Sequence, residues 1–187
     1  MTTNKHLLFL RVAGFTLVEL LVSVTVMAIL LAVTVPSFKA TVMNSRIAAQ
    51  TDAFANALNY ARNTAVSQNV NVMTCPAGAA GSTVCGANWQ SGWIIVRQPA
   101  GGGNVLLQSF FTAPNDPVLS NVAIAGVAAN SVTFDSRGIA TTQANFKTCD
   151  NRGATFARSV EVLPTGFIQT STTMGVAVWD GGALTCP

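Results

Sequence analysis

The sequence predicts an α+β protein in which one long N-terminal helix packs on an antiparallel β-sheet. An apolar run occupies residues 15–35, and a helical pattern follows it as far as residue 68. The remaining residues form short strand-like runs that turn residues separate. Half of the 187 residues are hydrophobic and only 9% are charged, so the composition excludes a disordered chain.

The apolar run is long enough to cross a bilayer as a helix. It reads FTLVELLVSVTVMAILLAVTV, and about 20 such residues span the hydrocarbon core. A secretory signal has a shorter core and a small-residue cleavage site after it, which this run does not have. Lys5 and Arg11 precede the run without an acidic residue. The sequence therefore predicts a cytoplasmic N-terminus and a globular part outside the cytoplasm.

Glu19 is the only ionised residue of this run. A carboxylate inside hydrocarbon costs a few kcal/mol, so Glu19 is a candidate functional residue. Cleavage after Gly14 would supply a cation for it, the new α-amine of Phe15, either one helical turn before Glu19 or on a neighbouring chain. The alternative is a carboxylate that reaches the membrane interface.

The helical pattern continues beyond Pro36 and ends near Gln68, which gives a helix of roughly 80 Å. Pro36 removes one backbone donor, so we expect a kink or a locally melted stretch there. The apolar residues of the second half recur at helical spacing and predict a face that packs on the sheet. They are Ile47, Phe54, Leu58, Ala61 and Ala65.

The rest of the chain predicts a single antiparallel sheet. We predict strands at residues 70–75, 93–97, 105–111, 132–134, 159–163, 167–172 and 176–179. Pro164-Thr165-Gly166 predicts a hairpin turn between residues 160–163 and 167–169.

The four cysteines predict two disulfides, because the globular part lies outside the cytoplasm. Of the three possible pairings, we favour Cys75–Cys85, which closes a local loop, and Cys149–Cys186, which ties down the C-terminus. A zinc site is disfavoured, because no pair of cysteines has a short zinc-ligand spacing and His6 is the only histidine.

No catalytic or nucleotide-binding motif is present in the sequence. We therefore predict that the protein is not an enzyme and uses no cofactor and no metal. One basic cluster is a weak candidate for DNA or anion contact, with Phe146 and Phe156 interleaved. The alternative is a solvated loop around a disulfide. The cluster comprises Arg137, Lys147, Arg152 and Arg158.

Residues 14–22, GFTLVELLV, resemble the class III signal of type IV pilins and pseudopilins. The resemblance implies that a prepilin peptidase cleaves between Gly14 and Phe15 and methylates the new N-terminal Phe15. It implies that Glu19 neutralises the Phe15 amine of an adjacent subunit in a filament. Pro36 matches a proline that is common in the pilin helix.

The strand-rich second half resembles the GspH/FimT group, which contains FimU-like minor pilins. The resemblance implies a subunit that primes or caps a pilus, with a type II secretion pseudopilin or a DNA-binding pilin of natural transformation as alternatives. FimT-type pilins that bind DNA carry Gly-Arg-x-Arg in the C-terminal hairpin. Here the turn reads Gly166-Phe167-Ile168-Gln169, without either arginine.

The expected organisation is a leader peptide at 1–14, a transmembrane or filament-core half-helix at 15–37 and a globular head at 38–187. The expected location is the inner membrane with a periplasmic head, and later the filament. The implied partners are the prepilin peptidase, the inner-membrane assembly platform and other major and minor pilins. The net charge of +3 falls to +1 without Lys5 and Arg11 of the leader, so the whole chain no longer suggests an anionic partner.

Overall fold

The computed structural model describes residues 14–114 and 116–186. These residues form one α-helix, α1 (Leu17–Gln68), and eight β-strands. The strands are β1 (Asn71–Pro76), β2 (Gly92–Gln98), β3 (Val105–Phe111), β4 (Val118–Val122), β5 (Val132–Phe134), β6 (Ala144–Cys149), β7 (Arg158–Val162) and β8 (Ile168–Thr170). One compact unit ends at Val42 and a second begins at Met43. The predicted α+β class is confirmed.

The strands form two antiparallel sheets, whereas the sequence pattern predicts one. The first sheet has the order β3-β2-β1-β5, and the second has the order β4-β6-β7-β8. Two pairings, β1 with β5 and β4 with β6, join strands that are not consecutive in the chain. The sequence therefore offers no hairpin turn from which these pairings could be predicted.

The predicted apolar face of α1 is confirmed as part of the core of the second unit. All five of its predicted core residues are fully buried. At its centre the ring of Phe54 makes edge-to-face contacts with Trp93 of β2 and Phe146 of β6, at centroid distances of 5.1 and 4.8 Å. One helix side chain thus contacts both sheets, which fixes the register of α1 on them.

Three expectations about the strands were wrong. The sequence pattern does not predict strands β4 and β6, and β6 occupies part of the segment for which a solvated loop around a disulfide is the alternative interpretation. Residues 176–179 do not form a strand, although Val176 makes an isolated bridge with Ala183. The bridge is too short to add a strand to either sheet.

The predicted hairpin is present as β7 and β8, with Val162 paired to Ile168. Its turn packs tightly against the turn that follows β5. Gly166 has φ +78°, and a Cβ atom there would lie 1.8 Å from the carbonyl oxygen of Gly138. Only glycine fits this position, because any side chain would collide with the backbone of the neighbouring turn.

Helix α1 includes Pro36 and is helical on both sides of it. The locally melted stretch that we considered at this proline is therefore absent. A proline within a helix removes one hydrogen bond, to the carbonyl four residues earlier, and the remaining ladder continues.

Candidate functional site

Helix α1 begins with a side-chain cap at Thr16. The Thr16 hydroxyl accepts a hydrogen bond from the Glu19 backbone N–H at 3.2 Å. Thr-x-x-Glu at this position is a capping box, in which a glutamate or glutamine three residues after the cap supports the helix start. The spacing of Thr16 and Glu19 predicts this motif, although it is not among the expectations above. The expected leader, apart from Gly14, lies outside the described residues.

The first part of α1 presents its whole circumference to the surroundings. Every residue from Gly14 to Thr41 is exposed, including Phe15, which is 78% exposed. Helix α1 contains a stretch that is long and apolar enough to cross a membrane. Since large apolar side chains cover this stretch on all sides, it fits lipid or the packed helices of an assembly better than water.

Three hydroxyl groups of this stretch donate hydrogen bonds to carbonyls of the helix itself. Ser23 donates to the Glu19 carbonyl at 2.7 Å, and Thr25 donates to the Leu21 carbonyl at 3.0 Å. Thr34 donates to the carbonyl of Leu30 at 2.9 Å. An apolar medium offers no partner for a free hydroxyl, so these internal bonds make the segment compatible with such a medium.

Glu19 carries the only charge of the exposed apolar stretch from Phe15 to Val35. Within the described residues, no basic side chain lies within 4 Å of its carboxylate. The carboxylate also lies in the first turn of α1, where the helix dipole stabilises a negative charge. Glu19 thus combines a local role at the helix start with a charge that has no partner in the described part of its own chain.

Both disulfides lie in the second unit. The structure joins Cys75 to Cys85 and Cys149 to Cys186, the two pairs favoured from the sequence. Cys149 packs with Ala157 and Leu184 in a small satellite core. This bridge therefore fastens the C-terminal residues to the end of β6.

Two Asp-x-Arg turns hold two of the four basic side chains of the cluster. In the first turn, Asp135 accepts hydrogen bonds from the backbone N–H and the guanidinium of Arg137. In the second, Asp150 accepts the same pair of bonds from Arg152. The backbone N–H of Ile139, together with Arg137, lowers the pKa of Asp135 from its ordinary value of 3.8.

The Arg152 turn is also tied to α1. One guanidinium nitrogen donates to the Asn44 side chain at 2.7 Å, and the guanidinium lies 4.1 Å from the centre of the Phe156 ring. The Arg152 side chain is only 16% exposed, against 76% for Arg137. Arg152 is therefore committed to internal contacts, and Phe156 stacks on this arginine.

The remaining basic residues point to opposite faces of the second sheet. Arg158 pairs with Thr148 on the face that carries the buried Phe146, and Lys147 pairs with Ser159 on the other face. The structure thus does not bring the four basic side chains onto one surface, and Phe146 is not available to stack on a base. DNA contact by this cluster stays an untested prediction.

Within the described residues, no group of three or more histidine, cysteine or acidic side chains could hold a metal ion. A cleft beside Asp150 has a volume of about 570 Å³ and is also lined by Arg46 and Asp116. Its opposite charges and its lack of a nucleophile beside a base match no catalytic arrangement that we recognise.

Two family models match the chain. The model described as type II transport protein GspH matches residues 50–166, which is more than half of the chain. The model described as the prokaryotic N-terminal methylation motif matches residues 10–35, which include Gly14, Phe15 and Glu19. No curated protein matches the chain.

Two crystal structures of the type IV minor pilin FimU from Pseudomonas aeruginosa PAO1 are similar to this chain. The structure in space group P21 is 23% identical with a TM-score of 0.50, over 68% of this chain and 89% of that chain. The structure in space group P65 is 21% identical with a TM-score of 0.47, over 64% and 88%. At 23% identity, the similarity to the P21 structure supports the fold alone.

Proposed function

Because the chain belongs to the family of type II transport protein GspH and carries the N-terminal methylation motif, we propose that it is a minor type IV pilin that primes or caps a filament. The family consists of minor pilins and pseudopilins, which are structural proteins. The observation that carries the proposal is the exposed apolar stretch of α1, with one acidic residue in its first turn.

We propose that a prepilin peptidase removes residues 1–14 and methylates Phe15. Residues 15–37 would form the membrane-spanning and filament-core half of α1, and residues 38–187 the head, which lies in the periplasm before assembly. Thr16 would be the second residue of the processed chain. The cap of α1 would therefore survive cleavage, and the new amine would lie beside the helix start.

In this proposal the helix moves from the inner membrane into the filament, where the helices of other pilins replace lipid. Glu19 neutralises the Phe15 amine of an adjacent subunit and sets the axial register. Without this pair, two charges would be buried without partners, which costs several kcal/mol. The assembly platform and the other pilins are the partners that this pathway requires.

Three substitutions separate the charge of Glu19 from its capping role. Glu19→Ala removes both, Glu19→Gln keeps a capping-box residue without the charge, and Thr16→Ala removes the cap and keeps the carboxylate. We expect the two Glu19 variants to enter filaments at least about tenfold less than wild type, because each 1.4 kcal/mol changes an equilibrium tenfold. Thr16→Ala should stay within about threefold of wild type.

The measurement is the amount of each variant in sheared filaments, relative to the amount in the membrane. Normal incorporation of Glu19→Gln would contradict the charge-pairing role. Intact-mass analysis of the membrane form provides an independent check. Loss of residues 1–14 with one added methyl group supports the pilin proposal, whereas an uncut N-terminus supports a simple membrane anchor.

A type II secretion pseudopilin is the second candidate, since the matching family model is described as a type II transport protein. The same helix and processing motif serve both proposals. The two proposals differ in the assembly to which the chain belongs, a type IV pilus or a type II secretion system. Co-purification of the cross-linked chain with either pilus or secretion subunits separates them.

A further inference from the structure

A groove separates the free edge of the first sheet from α1 within the second unit. Its volume is about 570 Å³, within the range of about 300–1,000 Å³ that is typical of ligand sites. The lining residues are uncharged and come from α1 and β3 alone. They are Ala53, Asn56, Ala57, Tyr60, Leu107 and Gln108.

Strand β3 is one edge of its sheet and pairs only with β2. Among the described residues, the backbone groups of Val105–Phe111 make no hydrogen bond outside this ladder. In an edge strand, about half of the N–H and C=O groups point away from the sheet and are free to pair with a further strand. Natural edges are commonly blocked by lysine or proline, and β3 contains neither residue.

A bulge directs two consecutive residues of β3 toward the groove. Gln108 pairs with Ile95 and Leu106 pairs with Val96, so Leu107 has no partner on β2. In a regular strand, neighbouring side chains point to opposite faces. Here the extra residue lets Leu107 and Gln108 line the same groove, and this places an apolar and a polar contact beside the free edge.

The groove has room at its floor because the α1 side chains beside β3 are small. Ala53 and Ala57 lie four residues apart on α1, and neither has a side chain that could fill the space. Tyr60 also lines the groove and is 46% exposed. A further strand added to β3 would therefore cover α1 at a place where the present sheet leaves it open.

We propose that this groove receives an extended, uncharged segment of an adjoining filament subunit, which adds to β3 as a fifth strand of the sheet. The proposal rests on the proposed function, which supplies such a subunit. The unpaired edge requires a main chain in the extended form, and alternate side chains of that segment would enter the groove. A charge on the segment would be buried there without a partner.

The experiment uses the full-length chain in cells that assemble the filament. The photo-cross-linking amino acid p-benzoylphenylalanine replaces Asn56 at the groove or, as a control, Asn63 on the same helix outside the groove. We expect position 56 in isolated filaments to cross-link to an uncharged segment of another subunit at least about fivefold more than position 63. Gln108→Lys should lower the yield at position 56 by a similar factor.

The proposal is overturned if the two positions cross-link equally, if Gln108→Lys leaves the yield unchanged, or if the captured segment is charged. Thermal unfolding of each purified variant, followed by tryptophan fluorescence, identifies any loss of folding. If Gln108→Lys does not fold, Ala53→Leu, which fills part of the groove, takes its place and should also lower the cross-linking yield at position 56. If wild type is absent from the filaments, the proposed function fails and the groove proposal fails with it. If wild type is present without preferential cross-linking at position 56, only the groove proposal fails.

Discussion

Helix α1 belongs to both compact units, and its residues are exposed as far as Thr41 in the first unit and buried along one face in the second. From Gly14 to Thr41 no residue is buried, and the hydroxyls of Ser23, Thr25 and Thr34 are bonded within the helix. From Ile47 to Ala65 the same helix buries a complete apolar face against strands of both sheets. The second unit therefore carries its own core, whereas the described residues of the first contain no buried side chain and fit a membrane or the packed helices of other chains better than water.

The largest expected effect tests this division directly. Phe54→Ala removes the ring that contacts both sheets, so we expect the second unit to lose about 3–5 kcal/mol of unfolding free energy. Leu31→Ala, a matched truncation in the exposed stretch, should change that free energy by less than about 0.5 kcal/mol. Denaturation of the full-length chain in detergent, followed by tryptophan fluorescence, measures both. Equal losses would mean that the two regions depend on one core.

Loss of a disulfide should be the next largest effect and should differ between the two bridges. Cys149–Cys186 spans 37 residues and Cys75–Cys85 spans 10. The chain-entropy model then gives about 1 kcal/mol more to the longer loop, of typical totals near 2–4 kcal/mol. Paired Cys→Ser variants measured by denaturation test the order. The helicity of the exposed stretch in micelles should not change in either variant.

The contact between the two turns predicts a smaller loss. Gly166→Ala places a methyl group against the Gly138 carbonyl and should cost at least about 2 kcal/mol. Gly101→Ala is the matched control, since Gly101 has a similar φ of +77° with no atom within 4 Å of a built Cβ, and should cost only about 1 kcal/mol. A Gly166 variant that is no less stable than the Gly101 variant would argue against close packing of these turns.

Asp135 predicts the smallest effect, a pH dependence confined to acid. Its pKa is lowered in the folded chain by the Ile139 backbone N–H and by Arg137. The stabilisation is therefore present above the unfolded-state pKa near 3.8 and is lost as pH falls through the folded-state pKa. We expect Asp135→Asn to flatten the stability profile below about pH 4. If the slope of stability against pH is unchanged in Asp135→Asn, other carboxylates determine the acid dependence.

The sequence predicts α1 well because its two halves have strong and different patterns. The five predicted core positions recur at helical spacing, and a predominantly apolar run with a single charge marks the exposed stretch. The two missed strands lack such signals. Strand β6 alternates Ala144 and Phe146 in the core with Asn145 and Lys147 on the other face, but its partner β4 is distant in sequence, and no turn connects the two directly.

The candidate site was predictable in its residues but not in its arrangement. A short motif predicts Gly14, Phe15 and Glu19. The basic cluster was predicted only because its four residues lie close together in the sequence. Strand alternation separates Lys147 from Arg158, and a local carboxylate holds Arg137 and Arg152. An aspartate lies two residues before Arg137 and another two residues before Arg152. This spacing is the sequence signal that could have predicted the two turns.

The internally bonded hydroxyls of α1 have a kinetic consequence. The hydroxyl groups of Ser23, Thr25 and Thr34 already donate hydrogen bonds to carbonyls of the preceding turn. When the helix exchanges one set of neighbours for another, these donors have no hydrogen bond to break and none to form. In the proposed transfer from membrane to filament, the barrier would then come from apolar contacts and from the charge of Glu19, and the helix could rotate and slide among its neighbours until that charge is matched.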